Sequence, residues 1–343
     1  MKRPVSIKDI GRIVGVSHST VSRALRQSPV VNAETAERIC QVAREQGYRA
    51  SLIGRSLVTR RSMTVGCVVT DIADPFVGGV VDGIEKVANQ HGYAVFLASS
   101  HADPKRELEV VRSFHERRVD GVIVPSSRVG FQYLRHLSAL QIPIVLINNQ
   151  HPGAYTHSVN IDNLEAARRL AVHLLELGHR RVAYIGSRHG NQSDADRLSG
   201  YRSVIQEAGL PFIKDLVVHT DPTPAGGQAA IKRLLALRRR PTAVFCYDDL
   251  TALGALGGAR SAGIAVPGDL SVTGFDDLYI ASYTDPPLTT IRQPMREMGA
   301  RAAEILLGLM RGEVSAKSVT LSGKLVVRDS TAPPQVLHAV RAR

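Results

Sequence analysis

Along the first fifty residues apolar side chains recur every three or four positions; beyond Thr64 they gather into short unbroken runs separated by helical stretches. Ile7, Ile10, Ile13 and Val14 form one stripe at the spacing of an amphipathic helix. Ser6 stands before it as an N-cap, with Asp9 in the capping-box position where Glu is usual. Gly15 breaks this helix where a tight turn needs a permissive backbone. Ser17 caps a second helix that turns Val21, Ala24 and Leu25 inward, and Gly11 lies where that helix must approach the first closely. Ser28-Pro29 ends the pair; Asn32 caps a third helix that runs to Gly47 with Ala36, Ile39, Val42 and Ala43 on its inner side. Three short helices with a glycine turn between the first two predict an all-α helix-turn-helix domain.

The outer face of the second helix carries Ser17, His18, Ser19, Thr20, Ser22 and Arg23, all able to hydrogen-bond. Hydroxyl, imidazole and guanidinium groups on such a helix suit base edges in a DNA major groove. Charge sharpens the picture. Residues 1–61 hold twelve Lys/Arg against four Asp/Glu, so +8 of the chain's +12 sits in this small module. A polyanionic partner at the N-terminus follows.

From Thr64 onward the runs VGCVVTD, AVFLASS, VDGVIVPSS, IPIVLINN, RRVAYIGS, TAVFCYDD and LSVTGFDD alternate with helical stretches such as 163–177. Val/Ile/Leu runs alternating with helices predict an α/β effector domain of two parallel, Rossmann-like sheets with a cleft between them. Ligands in such folds bind beyond the carboxyl ends of the strands. Those ends are Asp71, Asn148-Asn149, Asp248-Asp249 and Asp276-Asp277, with Arg197 opening the helix of DRLSGYRSVIQEAG. Carboxylates and amides converging with one guanidinium suit a polyhydroxylated small molecule, because each carboxylate accepts from two neighbouring hydroxyls.

Other classes find less support. No stretch reaches the roughly 18 consecutive apolar residues of a membrane span, and no apolar run of signal-peptide length follows the basic N-terminus. Cys40, Cys67 and Cys246 make no C-x-x-C pair and suit buried thiols in a reducing compartment, so the expectation is cytoplasmic. H-E-x-x-H, G-x-S-x-G and the P-loop pattern are absent; GALGG at 254–258 is not a dinucleotide fingerprint, and the histidines show no metal-ligand spacing. No cofactor or metal is expected. A sugar-active enzyme and a stand-alone sugar-binding protein are the competing readings; the second leaves residues 1–61 without a role.

SIKDIGRIVGVSHSTVSRAL followed by YRASLIGRSLVTRRS resembles the headpiece and hinge of the lactose/galactose-repressor family. RRVDGVIV, GHRRVAYIG, YDDLTALGA, GFDD and PPLTTIRQP extend the resemblance over roughly residues 5–330. It implies a homodimeric, allosteric transcriptional regulator, a repressor of carbohydrate genes, whose effector domain is related to type I periplasmic sugar-binding proteins. It implies a near-palindromic operator, contacted also by Asn32, Ser51 and Arg55, with Leu57 of a 51–62 hinge wedging into the minor groove. Ala50 and Gly54 depart from the family's usual proline and alanine there. The implied effector contacts are Phe76, Arg197, Asp248 and Asp276, together with Asp71, Asn148 and Asp162. The implied layout is a DNA-binding domain over 1–50, an effector domain over 63–330 and a disordered basic tail over 331–343. Within the effector domain, one subdomain takes 63–161 plus 292–321 and the other 162–291 plus 322–330. With no second aromatic recognised beside Phe76 to sandwich a purine, a sugar or sugar acid is the expected effector.

Overall fold

The computed structural model describes residues 5–48, 61–129, 142–149, 157–313 and 318–335, which fall into two compact units meeting at Ser62 and Met63. The first unit holds α1 (Ile7–Val14), α2 (His18–Ala24) and α3 (Ala33–Glu45). Ser6 and Asp9 close the capping box reciprocally, and Gly15 turns the chain at φ 77°. A Cβ on Gly11 would stand 2.7 Å from the Val16 carbonyl oxygen, so the glycine is what lets the turn fold back onto α1. Ile10, Val14, Val21, Ala24, Ile39 and Ala43 form the core. Ile13 does not join them. It is 51% exposed, because six residues carry it about 120° round the helix from Ile7.

The second unit begins with β1 (Thr64–Val69), α4 (Pro75–Gln90), β2 (Ala94–Ser99), α5 (Pro104–Glu116), β3 (Gly121–Pro125), β4 (Ile144–Ile147) and β5 (Ser158–Ile161). It continues with α6 (Asn163–Glu176), β6 (Val182–Ser187), α7 (Gln192–Glu207), β7 (Val217–Thr220), α8 (Pro224–Leu235), β8 (Ala243–Cys246), α9 (Asp249–Ser261) and β9 (Ser271–Thr273). It closes with β10 (Thr290–Arg292), α10 (Met295–Met310), β11 (Val319–Leu321) and β12 (Lys324–Val326). Two parallel sheets result, in the orders β11-β5-β4-β3-β1-β2 and β7-β6-β8-β9. The inner strands β3, β4, β6 and β8 are buried along their whole length, as helices on both faces of a parallel sheet require. The chain passes from the first sheet to the second after β5, leaves the second after β9 through β10 to α10 and β11 of the first, and then turns into β12. β10 and β12 pair antiparallel at these passages.

Two boundaries differ from the sequence reading. Arg197 does not open its helix: α7 begins at Gln192 with Asn191 as N-cap, which places Arg197 in the second turn. The tail does not start at 331 as a loose segment. Ala332 N–H donates to Ser271 Oγ at 3.1 Å, and Thr331 Oγ1 lies 3.1 Å from His173 Nε2. Among the described residues no helix is long and apolar enough to cross a membrane.

Candidate DNA-reading face and ligand cleft

The outer face of α2 is already partly knitted together. Ser17 Oγ accepts from Thr20 N–H at 3.1 Å and lies 2.7 Å from Ser19 Oγ and 2.8 Å from Thr20 Oγ1. Ser17 is therefore chiefly a cap. Ser22 is engaged by a residue that sequence reasoning missed: Arg26 donates to its hydroxyl at 2.7 Å and to its carbonyl at 3.0 Å. His18, Ser19 and Arg23 project into solvent. Asn32 caps α3 by accepting from Glu34 N–H at 2.9 Å. Ser51, Arg55 and Leu57 lie outside the described residues.

In the second unit, a cleft of about 520 Å³ opens between the carboxyl ends of the two sheets. Asp71, Phe76, Asn148, Arg197, Asp248 and Asp276 all line it. Asp71 follows β1, exposed, and accepts from Ala73 N–H at 2.9 Å. Phe76 sits in the first turn of α4, buried. Asn148 ends β4 in the left-handed region at φ 49°. Asp248 caps α9, accepting from Thr251 N–H at 2.7 Å. Asp276 stands at φ 118° and accepts from Gln293 Nε2 at 2.5 Å.

The paired strand-end residues divide their work. The first of each pair reaches the cleft and the second builds its wall. Asn149 N–H donates to Asn160 Oδ1 at 2.9 Å. Buried Asp249 accepts from Leu278 N–H at 2.7 Å and Thr290 Oγ1 at 2.6 Å. Asp277 is clasped by Arg292 at 2.6 Å and Arg328 at 2.7 Å.

Asp162 does not reach the cleft. It is an exposed cap of α6, accepting from Glu165 N–H at 2.9 Å. Its neighbour Asn163 matters instead: its Oδ1 accepts from Arg197 Nε at 2.9 Å. Arg197 Nη1 donates to the Tyr247 carbonyl at 2.6 Å, and the guanidinium lies 3.6 Å from the Phe275 ring centroid and 4.6 Å from that of Tyr247. It is 3% exposed. An ion pair with Asp194 or Asp196 does not form. Asp194 accepts from Tyr184 Oη at 2.8 Å and Ser187 N–H at 3.1 Å, and Asp196 from Gln192 at 2.7 Å.

Burial dominates the electrostatics of this site. It raises the Asp276 carboxyl well above its ordinary value, with Arg197 opposing, and raises Asp248 in the same way against the Thr251 hydrogen bonds. Asp74, the N-cap of α4, is pushed to about 6 by burial, with its hydrogen bond from Phe76 N–H opposing. Asp74, Ser193, Tyr247 and Gln293 also line the cleft and escaped the sequence reading. Tyr247 is a second aromatic in the lining that holds Phe76, its ring carrying the Arg197 guanidinium. The signal lay in its place directly before Asp248 at the end of the run TAVFCYDD.

Comparison with known proteins agrees with both units. Residues 6–51 match the family model "Bacterial regulatory proteins, lacI family", and residues 171–331 match a periplasmic binding protein-like domain. The HTH-type transcriptional regulator DegA of Bacillus subtilis is 33% identical over 332 residues, covering 96% of this chain and 98% of DegA. The lac repressor dimer bound to operator and the anti-inducer ONPF superposes with TM-score 0.89 at 26% identity, over 96% of this chain and 100% of that one. A CelR–cellobiose complex gives 0.73 at 30% identity, over 96% and 100%. These relatives set aside the enzyme and stand-alone binding-protein readings. The chain belongs to the lacI family of bacterial transcriptional regulators.

Proposed function

We propose that this regulator is a cytoplasmic homodimeric repressor that reads a near-palindromic operator with α2 and is controlled by a sugar-like polyol in the cleft. The observation that carries the effector reading is Arg197, buried and stacked on Phe275 and Tyr247 with Asp248 and Asp276 lining the same cleft. Aromatic faces with a guanidinium and carboxylates fit the alternating C–H faces and hydroxyls of a carbohydrate. The CelR structure holds a sugar, cellobiose, on a similar chain.

The dimer reading has support on the surface. The sheet edge at β2 exposes Phe96 and Leu97 at 49% and 45%, and Tyr279 and Tyr283 are exposed at 75% and 79%. Apolar side chains along a strand that ends its sheet among the described residues favour burial against a second copy. One α2 per subunit of a two-fold dimer imposes a near-palindromic site, and the family resemblance implies minor-groove contacts for Ser51, Arg55 and Leu57.

Two linked measurements test the reading. Selection from random DNA with the full chain yields a two-fold half-site pattern. An effector found by thermal-shift screening of carbohydrates changes operator affinity by roughly 5–150-fold, and operator changes effector affinity by the same factor. Arg197→Ala leaves Asn163 Oδ1 and the Tyr247 carbonyl without their donor, a loss of about 1–3 kcal/mol in stability. The variant still binds operator but no longer answers the effector. A variant that responds at wild-type effector concentration removes Arg197 from the site.

A further inference from the structure

Carboxylates outnumber guanidinium groups in the cleft. Asp71, Asp74, Asp221, Asp248 and Asp276 line it against only two guanidinium groups, Arg128 and Arg197. Asp221 is largely answered by Arg188, which lies outside the lining, at 2.5 Å, and by His189 of the lining at 3.7 Å. The remaining four carboxylates come from both sheets: Asp71 and Asp74 follow β1, Asp248 follows β8 and Asp276 follows β9.

A separate observation points the same way. Gln293, only 4% exposed and lining the cleft, gives its amide N–H to Asp276, while its Oε1 has no hydrogen-bond partner among the described residues. A buried acceptor left open calls for a donor from the ligand.

Arg197 offers an anion less than an unengaged guanidinium does. A guanidinium grips a carboxylate or phosphate by presenting two parallel N–H bonds. Here Nε is committed to Asn163 and one N–H of Nη1 to the Tyr247 carbonyl, so the side-on pair through Nε is taken and the ligand meets only the remaining Nη N–H groups.

Resting on the sugar reading above, we propose that the effector carries no negative charge, being a neutral or amine-bearing sugar rich in hydroxyl donors, and that Asp74 is the residue that excludes acidic sugars. Asp74 is the most constrained of the carboxylates in this respect. Its Oδ1 is fixed by Phe76 N–H at 2.9 Å, and Asp248 and Asp71 act on it electrostatically from the two sides of the cleft. A carboxylate or phosphate on the ligand would add a further like charge to this group, in a lining where five carboxylates already face two guanidinium groups. A hydroxyl or ammonium group instead donates into it. Uronic acids, aldonic acids and sugar phosphates are therefore rejected, and discrimination comes from repulsion as much as from attraction.

The test uses the full chain and matched trios: glucose, glucuronate and glucosamine; galactose, galacturonate and galactosamine; ribose, ribose 5-phosphate and ribosylamine-type analogues. Cellobiose is added as a neutral disaccharide. Binding is followed by thermal shift and titration calorimetry at pH 7.5. The neutral or amine member of the best trio binds the wild type roughly a hundredfold more tightly than its acid. Asp74→Asn keeps the helix cap, since Asn and Asp cap equally well, and narrows that gap to roughly tenfold. An acidic sugar that binds as tightly as its neutral counterpart overturns the charge rule. A gap unchanged in a folded Asp74→Asn protein, judged by its melting curve, overturns the role of Asp74. Binding by no sugar in the panel overturns the sugar reading itself, a result distinct from either of the others.

Discussion

Among the individual side chains of α2, local hydrogen bonding sorts those that can read a base from those that hold the helix. Ser17, Thr20 and Ser22 are tied to neighbours, His18 and Arg23 stand exposed, and Ser19 is exposed while its hydroxyl meets that of Ser17. Replacing His18 and Ser19 together by alanine should change the preferred base at the matching half-site positions. Each good base-edge hydrogen-bonding pair removed should reduce discrimination by about 1–3 kcal/mol. Sequence selection on the wild type and the double variant measures this, and identical selected sites would assign the reading to other residues. A comparable sorting in the cleft decided which side chains were legible from sequence. Asp71, Asp248 and Asp276 could be picked out because each follows a run of Val, Ile, Leu or Phe. Asp74 could not, since D-P-F reads first as an N-cap before a helical proline, and it is that as well. Asp162 shows the converse: the same residue type at a strand-to-helix junction is only a cap, because its side chain folds back onto Glu165 N–H.

For helices and strands as units, the seven hydrophobic runs became β1 to β4, β6, β8 and β9, because strands covered on both faces carry a Val/Ile/Leu signature, whereas the short strands β5, β7, β10, β11 and β12 were not legible. What periodicity could not supply was the reason for glycines inside helices. GALGG in α9 carries no nucleotide chemistry; its first glycine is a packing device. A methyl group on Gly254 would overlap the Pro224 carbonyl of α8, and one on Gly227 of α8 would overlap the Thr251 carbonyl of α9. The crossing of α4 and α10 uses the same arrangement, Gly83 against the Arg296 carbonyl and Gly299 against that of Val80. Gly257, three residues beyond Gly254 in α9, has nothing within 4 Å of its would-be Cβ and is exposed. Gly254→Ala should therefore destabilise the protein by about 1–3 kcal/mol through overpacking. Gly257→Ala should stabilise it by about 0.5–1 kcal/mol, because the helix no longer bears the backbone entropy of a glycine. Urea midpoints of the two variants should move in opposite directions, and movement in the same direction would refute the packing account.

Across the molecule as a whole, a break near residue 62 was visible as a change of both charge and hydrophobic period. The attachment of the C-terminal segment was not, because its anchors are polar and far away in sequence. His179, 1% exposed, lies 2.9 Å from Thr242 Oγ1, 3.0 Å from Ser271 Oγ and 3.0 Å from the Ala332 carbonyl, and His173 meets Thr331. Burial lowers the pKa of both imidazoles; the Ala332 carbonyl opposes this at His179 and Glu176 at His173. Because the folded values lie below the ordinary one of about 6.5, the unfolded chain takes up protons first as the pH falls. The stability tied to the neutral rings is thus complete above about pH 6.5 and is lost as the pH drops through the folded-state values. Two buried acids pull the other way: Asp74 and Asp249, raised by burial to about 6 and about 7, bind protons in the folded state and favour it as the pH falls. The wild-type profile sums these opposing slopes, so a difference between proteins is the cleaner reading. Removing the ring with His179→Gln should cost stability at about pH 8, where the neutral imidazole makes its full set of hydrogen bonds. The gap should shrink toward about pH 5, where the wild type must charge or unfold that ring and the variant has nothing to titrate. Denaturant unfolding at the two pH values measures the gap, and a gap that stays constant would show that His179 is not held neutral by its burial.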